Sequence, residues 1–433
     1  MPTEIHHLVD LSLQRHRVSR RRDFLRAVSA SAIAAGSLSW RERMTAEAAR
    51  LRQQGRACIL LWMRGGPSQF ETFSPQPDHP HGGETRAIST SVPGIQIAEY
   101  LPETARSMQE ICLIRSMTSK EGSHQRASYL LHTGYVPTAG VRNPTLGSLV
   151  SERIGDVDND LPNFVRIGGR GRGNTGGGFL GIEYDPLVLN DPQQQPDNTT
   201  LLTGKSQYQK RLRLLKRLED QHHQESIKQL VSDHQGLYER ASRLVLSPEM
   251  KAFDISQEPE QVHKAYGDSK FSSACLLARR LIESGVTFVE VDHGNWDTHD
   301  DNFERSRELC NEMDRAYSVL LHDLKQRGLL DRTLVIWMGE FGRSPRINAR
   351  AGRDHFTKAF NVALAGAGVR GGQVIGETET GGEEVSDHPV SVPDLFRTFC
   401  HALKIDPEHE RMSPIGRPIK IVEQGQVVPE IFG

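Results

Sequence analysis

Apolar residues along this chain fall into short unbroken runs separated by longer stretches in which they recur every three or four positions. Ala57-Cys-Ile-Leu-Leu-Trp-Met63, Ile111-Cys-Leu-Ile114, Phe164-Val-Arg-Ile167, the run from Val286 to Val291, Thr333-Leu-Val-Ile-Trp-Met338 and the run from Ala359 to Ala365 are of the first kind. Runs of that length, rich in β-branched and aromatic residues, predict strands buried on both faces. Between them the helical period marks a stretch ending at Thr133-Gly134, Leu201 to Leu246, Ser272 to Ser284, a helix starting near Asn302, and Asp394 to Leu403. In the second of these, Leu230, His234, Leu237, Ala241 and Leu244 step by four and three, as on one face of an amphipathic helix or a helical hairpin. Its His222, His223 and His234 read as solvated or packed, not as ligands. Strands alternating with helices predict an α/β fold, a three-layer αβα sandwich around a mostly parallel central sheet. The stretch at about 201–250 is a helical insertion, and residues 50–433 form one domain without internal repeats or low-complexity linkers.

Two of the strands run directly into polar chemistry. The run from Val286 leaves its strand through Gly294 into a segment holding Asp292, His293, Asp297, His299, Asp300 and Asp301. Any one of these alone reads as a solvated loop residue. Asp297 and His299 together, behind Trp296, read as a site because a second such segment follows. Thr333 to Met338 ends in Gly339-Glu340-Phe-Gly-Arg-Ser-Pro345, and Gly352-Arg-Asp-His355 comes shortly after. Ligands of open α/β sheets bind at the carboxyl ends of the strands, so these groups are placed to converge. Mixed carboxylate and imidazole donors suit zinc, manganese or iron better than calcium or magnesium, which prefer oxygen alone. The spacing is neither that of a zinc finger nor HExxH.

Composition narrows the partners. The formal charge of −2 over 433 residues implies no nucleic-acid partner. Five scattered cysteines without a CxxC read as buried free thiols. The loop from Gly168 to Gly181 carries eight glycines but no GxGxxG or Walker pattern, and a surface loop is favoured over an anion cradle. Residues 1–49 are set apart. Ser19-Arg-Arg-Arg-Asp-Phe-Leu-Arg26 before a mild apolar run to Trp40 matches a bacterial twin-arginine export signal, with Arg21 and Arg22 as the pair and Ala46-Glu-Ala48 as a cleavage site. The run is too short and too weakly apolar to anchor in a bilayer. Its removal takes away eight Arg and five acids and leaves a mature chain of charge −5. The expectation is a periplasmic or extracellular protein, exported folded, with no transmembrane anchor after signal removal; the pattern does not fix an oligomeric state.

Gly65-Gly-Pro-Ser-Gln-Phe-Glu-Thr-Phe73, Trp296-Asp-Thr-His299, Gly339-Glu-Phe-Gly-Arg-Ser-Pro345 and Gly352-Arg-Asp-His355, in that order, resemble the bacterial domain-of-unknown-function family 1501, abundant in planctomycetes. That family looks like a branch of the alkaline phosphatase and sulfatase superfamily. The resemblance implies an alkaline phosphatase-like sheet with a divalent metal at the strand ends, zinc or manganese favoured and calcium a further candidate. It implies Glu71, Asp297, His299, Glu340, Asp354 and His355 as metal residues, and an anionic ester as substrate, sulfate more than phosphate, with sulfated polysaccharides among the candidates. Arg343 and Arg353 either clamp that anion bidentately or form salt bridges that fix the loops. Four departures stand out. Glu71 and Ser74 stand where the family more often has Asp, and Glu340-Phe341 stands where the superfamily has Asp-His. Counting back ten residues from Gly134 places His124 at the nucleophile position, with the hydroxyl of Ser123 beside it. A hydrolase is one outcome; a metal-stabilised binding or scaffold protein that kept the fold and lost the nucleophile is the other.

Overall fold

Strand β1 (Ala57–Met63) is buried throughout because its two faces meet two different cores. Ile59, Leu61 and Met63 enter one, while Cys58, Leu60 and Trp62 enter the other. The computed structural model describes residues 55–169, 176–201, 203–220 and 228–433, together with the side chains of all but a few residues at the facing ends of two helices. The expected export segment, His222, His223, the side chain of His234 and the centre of the glycine-rich loop lie outside the described residues.

Further strands are β2 (Ile111–Thr118), β3 (Phe164–Ile167), β4 (Leu187–Leu189), β5 (Phe288–His293), β6 (Thr333–Met338), β7 (Gly342–Ile347), β8 (Arg353–Phe356), β9 (Phe360–Ala365) and β10 (Gln373–Ile375). Among the described residues, nine strands build one sheet in the order β10-β2-β9-β6-β1-β5-β3-β4, with the short Val390–Ser391 strand paired to β2. β9 runs antiparallel to both neighbours and the other pairings are parallel. β7 and β8 form a separate antiparallel hairpin.

The helices are α1 (His124–Thr133), α2 (Leu146–Ile154), α3 (Lys205–Asp220), α4 (Lys228–Leu246), α5 (Lys270–Glu283), α6 (Asn302–Gln326) and α7 (Val392–Leu403). Leu277 of α5 and Met313 and Leu320 of α6 share a core with Ile59 and Leu61. Leu131 of α1, Leu149 of α2 and Phe396 of α7 share the other with Leu60 and Trp62. The fold is therefore a three-layer αβα sandwich with a mostly parallel sheet. α7 begins where its sequence dictates: the Ser391 hydroxyl accepts from the Asp394 amide and the Asp394 carboxylate accepts from the Ser391 amide, a capping box.

α3 and α4 pack as a hairpin over the stretch expected to be an insertion, joined by Tyr208 Oη and Ser242 Oγ at 3.3 Å and by Lys216 Nζ and Glu239 at 3.3 Å. The apolar face expected on α4 is only partly buried: Leu244 is in the core, whereas Leu237 is 41 % exposed and Ala241 is exposed. Period alone shows that a helix has an apolar stripe, not what covers it. All five cysteines are buried and free. Among the described residues, no helix is long and apolar enough to cross a membrane.

Candidate metal centre

β1, β5 and β6 lie side by side, with Met63 in register with His293 and Trp62 with Met338. Their carboxyl ends therefore open at one edge, and the motifs found there interlock. Gly65 sits at φ +117°, and a Cβ on it would collide with the Asp297 amide nitrogen; only glycine lets the two loops touch. The Gly65 N–H donates to both oxygens of Glu340, at 3.0 and 3.1 Å. A Cβ on Gly352 would collide with the His299 carbonyl, so the β8 motif likewise closes on the β5 loop. Trp296 is fully buried and anchors that loop, donating from its indole to His293 Nδ1 at 3.2 Å. In the hairpin, His355 pairs directly with Arg343 across the strands, which places both side chains on one face.

Asp297 is the centre on which the others converge. Its Oδ1 lies 3.1 Å from His299 Nε2, 3.3 Å from His355 Nε2 and 2.6 Å from an Arg343 Nη2–H donor. His299 Nε2 and His355 Nε2 are 3.0 Å apart. His124 Nε2 is 3.2 Å from Asp297 Oδ2 and is buried without a hydrogen-bond partner. Each imidazole is held from behind. His124 Nδ1 meets Glu340 at 2.7 Å, His299 Nδ1 meets Asp354 at 3.0 Å, and His355 Nδ1 meets the Gly122 carbonyl at 2.9 Å. A carbonyl oxygen requires the His355 proton on Nδ1, and a carboxylate favours it there for the other two. Three Nε2 lone pairs then face one carboxylate, the arrangement by which second-shell acceptors orient metal-binding histidines.

The electrostatics keep Asp297 ionised and His355 neutral, as donors to a cation must be, while they hold His124 toward its charged form. Burial would raise the Asp297 carboxyl, but the Arg343 hydrogen bond and charge, with His124 and His299, outweigh it and hold it down to about 2. Burial lowers the His355 imidazole, with Arg343 and His124 adding to the effect, so its neutral form is favoured. His124 is raised, first by its hydrogen bond to Glu340. Burial lowers the Arg343 guanidinium, against the pull of Asp297.

Not every predicted residue joins this cluster. Glu71 and Arg353 are both fully buried and bind each other, with Arg353 Nε at 3.1 Å and Nη2 at 2.9 Å from the carboxylate. The remaining Arg353 donors go to the carbonyls of Ser344, Pro345 and His81. Glu71 as a ligand and Arg353 as an anion clamp thus find both groups already committed to one another. Glu340 likewise stands behind His124, its oxygens occupied by Gly65 and the imidazole, and Asp354 stands behind His299. Arg343 spends its donors on the Gly65, Gly66 and Arg353 carbonyls and on Asp297, so it positions Asp297. Ser123 is exposed at the N-cap of α1 and its hydroxyl makes no cap hydrogen bond. The other acids and histidine of the β5 segment disperse: Asp292 pairs with Arg64 at 2.9 Å, His293 with Glu312 at 3.1 Å and Asp300 with Arg350 at 2.7 Å. Ser74 donates to Asn361. The Gly122 carbonyl and Gly65 amide were missed as contributors; only the glycines of the first motif hinted at the latter.

Four ligands around a zinc-like ion, each ~2.0–2.1 Å from it, lie about 3.3 Å apart. The separations of 3.0, 3.1 and 3.3 Å among Asp297 Oδ1, His299 Nε2 and His355 Nε2 match that spacing. His124, Asp297 and His355 also present ligand atoms all within 4.8 Å of one another. The residues therefore fit a metal ion.

The profile of a family described as "Protein of unknown function (DUF1501)" matches residues 55–432. The chain belongs to this family. No curated protein matches it in sequence. Solved structures similar to it include the PsFucS1 sulfatase from Pseudoalteromonas sp., at 16% identity and TM-score 0.39, covering 85% of this chain and 72% of that one. A putative sulfatase from Bacteroides thetaiotaomicron has 11% identity and TM-score 0.41, covering 87% and 74%. The phosphonate monoester hydrolase of Agrobacterium radiobacter has 12% identity and TM-score 0.35, covering 87% and 77%.

Proposed function

We propose that this member of the family is an exported, metal-dependent hydrolase of an anionic ester. The observation that carries the reading is the convergence of His124, His299 and His355 through Nε2 on Asp297, each ring held at Nδ1 by an oxygen. Asp297, His299 and His355 would hold the ion, with His124 at its margin, and this nitrogen-rich set suits zinc or manganese better than calcium. When bound, such an ion supplies Lewis-acid stabilisation of an ester oxygen. The chain's own residues orient and balance the site. Glu340 fixes His124, Asp354 fixes His299, the Gly122 carbonyl fixes His355, and Arg343 keeps Asp297 ionised. Because His124 is the first residue of α1 and Ser123 leaves the first turn without a side-chain cap, the amides of that turn would be free to receive anionic oxygens. The preference for sulfate over phosphate, sulfated polysaccharides as substrates and export by the twin-arginine route to the periplasm or beyond rest on the sequence motifs.

A second reading has one observation in its favour: among the described residues, no hydroxyl lies in the cluster, and the nucleophile position is filled by a histidine already bound to Glu340. It describes a metal-stabilised binding protein without turnover. Elemental analysis of the purified protein beside an Asp297→Ala, His299→Ala double variant separates the cases. Stoichiometric zinc or manganese lost in the variant, with sulfate- or phosphate-ester turnover lost alongside it, is the expected result. Metal without turnover would favour the binding protein, and no stoichiometric metal in either form would remove both readings.

A further inference from the structure

We propose that Asn348 is a positioning residue of the metal centre and sets the spacing between His299 and His355; the inference rests on the metal-dependent reading above. The cluster is divided between two elements. Asp297 and His299 stand on the loop after β5, while Arg343, Asp354 and His355 stand on the β7–β8 hairpin. With the ring protons on Nδ1, imidazole lone pairs face a carboxylate and one another, and without a cation these repel. The 3.0 Å between His299 Nε2 and His355 Nε2 therefore has to be imposed from outside the cluster.

The hairpin is stitched to the loop along its turn. The Arg353 amide donates to the Thr298 carbonyl at 3.1 Å, the Asp301 amide to the Arg350 carbonyl at 3.1 Å and the Asn302 amide to the Ala351 carbonyl at 2.9 Å. These are backbone bonds, open to any sequence. The fourth depends on a side chain: Asn348 Nδ2 donates to the His299 carbonyl at 3.0 Å. Its Oδ1 accepts from the Arg350 and Gly352 amides, at 2.9 and 3.0 Å. Amide donors on one side and a carbonyl on the other leave the side chain one orientation. Those two amides flank Ala351 at φ +54°, a left-handed conformation that a non-glycine residue keeps only where its surroundings impose it. One side chain thus shapes the turn before His355 and holds the peptide that follows His299.

Asn348→Asp separates these two roles. It keeps an acceptor for both turn amides but sets a carboxylate oxygen, with no proton to give at neutral pH, against the His299 carbonyl. Asn348→Ala loses both. For the purified protein at neutral pH, zinc affinity in chelator competition should fall by roughly 10–100-fold in each variant, although the charge added in Asn348→Asp by itself favours a cation. The visible absorption of the cobalt-loaded protein, which reports ligand geometry, should shift from the parent's in both. Metal-free Asn348→Asp should still unfold cooperatively. Parent-like zinc affinity and cobalt spectrum in Asn348→Asp, whatever Asn348→Ala does, would reduce Asn348 to a turn former and overturn the proposal. So would a metal-free Asn348→Asp that no longer unfolds cooperatively, because the residue would then serve the stability of the fold. A parent that binds neither ion would sink the metal reading and this inference with it, a result distinct from a parent and variants that bind alike.

Discussion

Glu71→Ala distinguishes a buried ion pair from a metal ligand. The Glu71 carboxylate accepts from Arg353 Nε at 3.1 Å, Arg353 Nη2 at 2.9 Å and Thr85 Oγ1 at 3.3 Å, with both charged side chains fully buried. Removing it leaves a guanidinium that cannot lose its charge, held by three carbonyls and the Phe70 and Phe303 rings 4.6 and 5.6 Å away. Breaking a buried pair from one side costs about 3–5 kcal/mol, a large fraction of the ~5–15 kcal/mol that holds a typical domain folded. Guanidinium unfolding should show the unfolding free energy fall by that much, through a lower midpoint at unchanged slope, while elemental analysis under native conditions shows metal content equal to the parent. A Glu71→Leu, Arg353→Met double variant should recover most of the loss, because no buried charge remains uncompensated. The reasoning fails if Glu71→Ala loses its metal while keeping its stability: that outcome would return Glu71 to the ligand set.

Three further outcomes are expected. Glu340→Gln removes the charge that orients His124 while keeping the side chain's shape, and should weaken metal binding by roughly 10–100-fold in chelator competition; unchanged affinity would exclude a positioning role. Buried Glu290 is raised by desolvation but held down to about 2 by Arg166 and His132, against an ordinary 4.5. A depressed carboxyl stabilises the fold fully above its ordinary value and loses that contribution as pH falls through the folded one, so ~3 kcal/mol should vanish between those limits; an acid-unfolding curve unchanged by Glu290→Gln would contradict this. Arg21→Lys, Arg22→Lys should retain the protein in the cytoplasm by fractionation, and normal export of that variant would refute the twin-arginine route.

The order of elements and the sheet's parallel character were legible in the sequence because strands buried on both faces must be continuously apolar, as in Ala57–Met63 and Thr333–Met338. The rest was not: α2, β4 and β10 are short, and the β7–β8 hairpin, Gly342–Ile347 and Arg353–Phe356, is too polar to show an apolar run. For the same reason of local chemistry, the pairing of Asp297 with His299 behind Trp296, and of both with His355, followed from acids and imidazoles placed at strand ends.

Tertiary structure alone decided which charges found partners. Glu71 and Arg353 lie 282 positions apart in the chain, and nothing local says that they neutralise each other beneath the site instead of lining it. Glu340 and Asp354 sit in the motifs as ligands would, yet the fold puts them behind imidazoles that themselves face Asp297. Sequence determines which residues can donate, accept or coordinate. Only the folded chain sets their distances: both oxygens of Glu71 are taken by Arg353, whereas Asp297 meets Arg343 through Oδ1 and also faces three imidazole nitrogens.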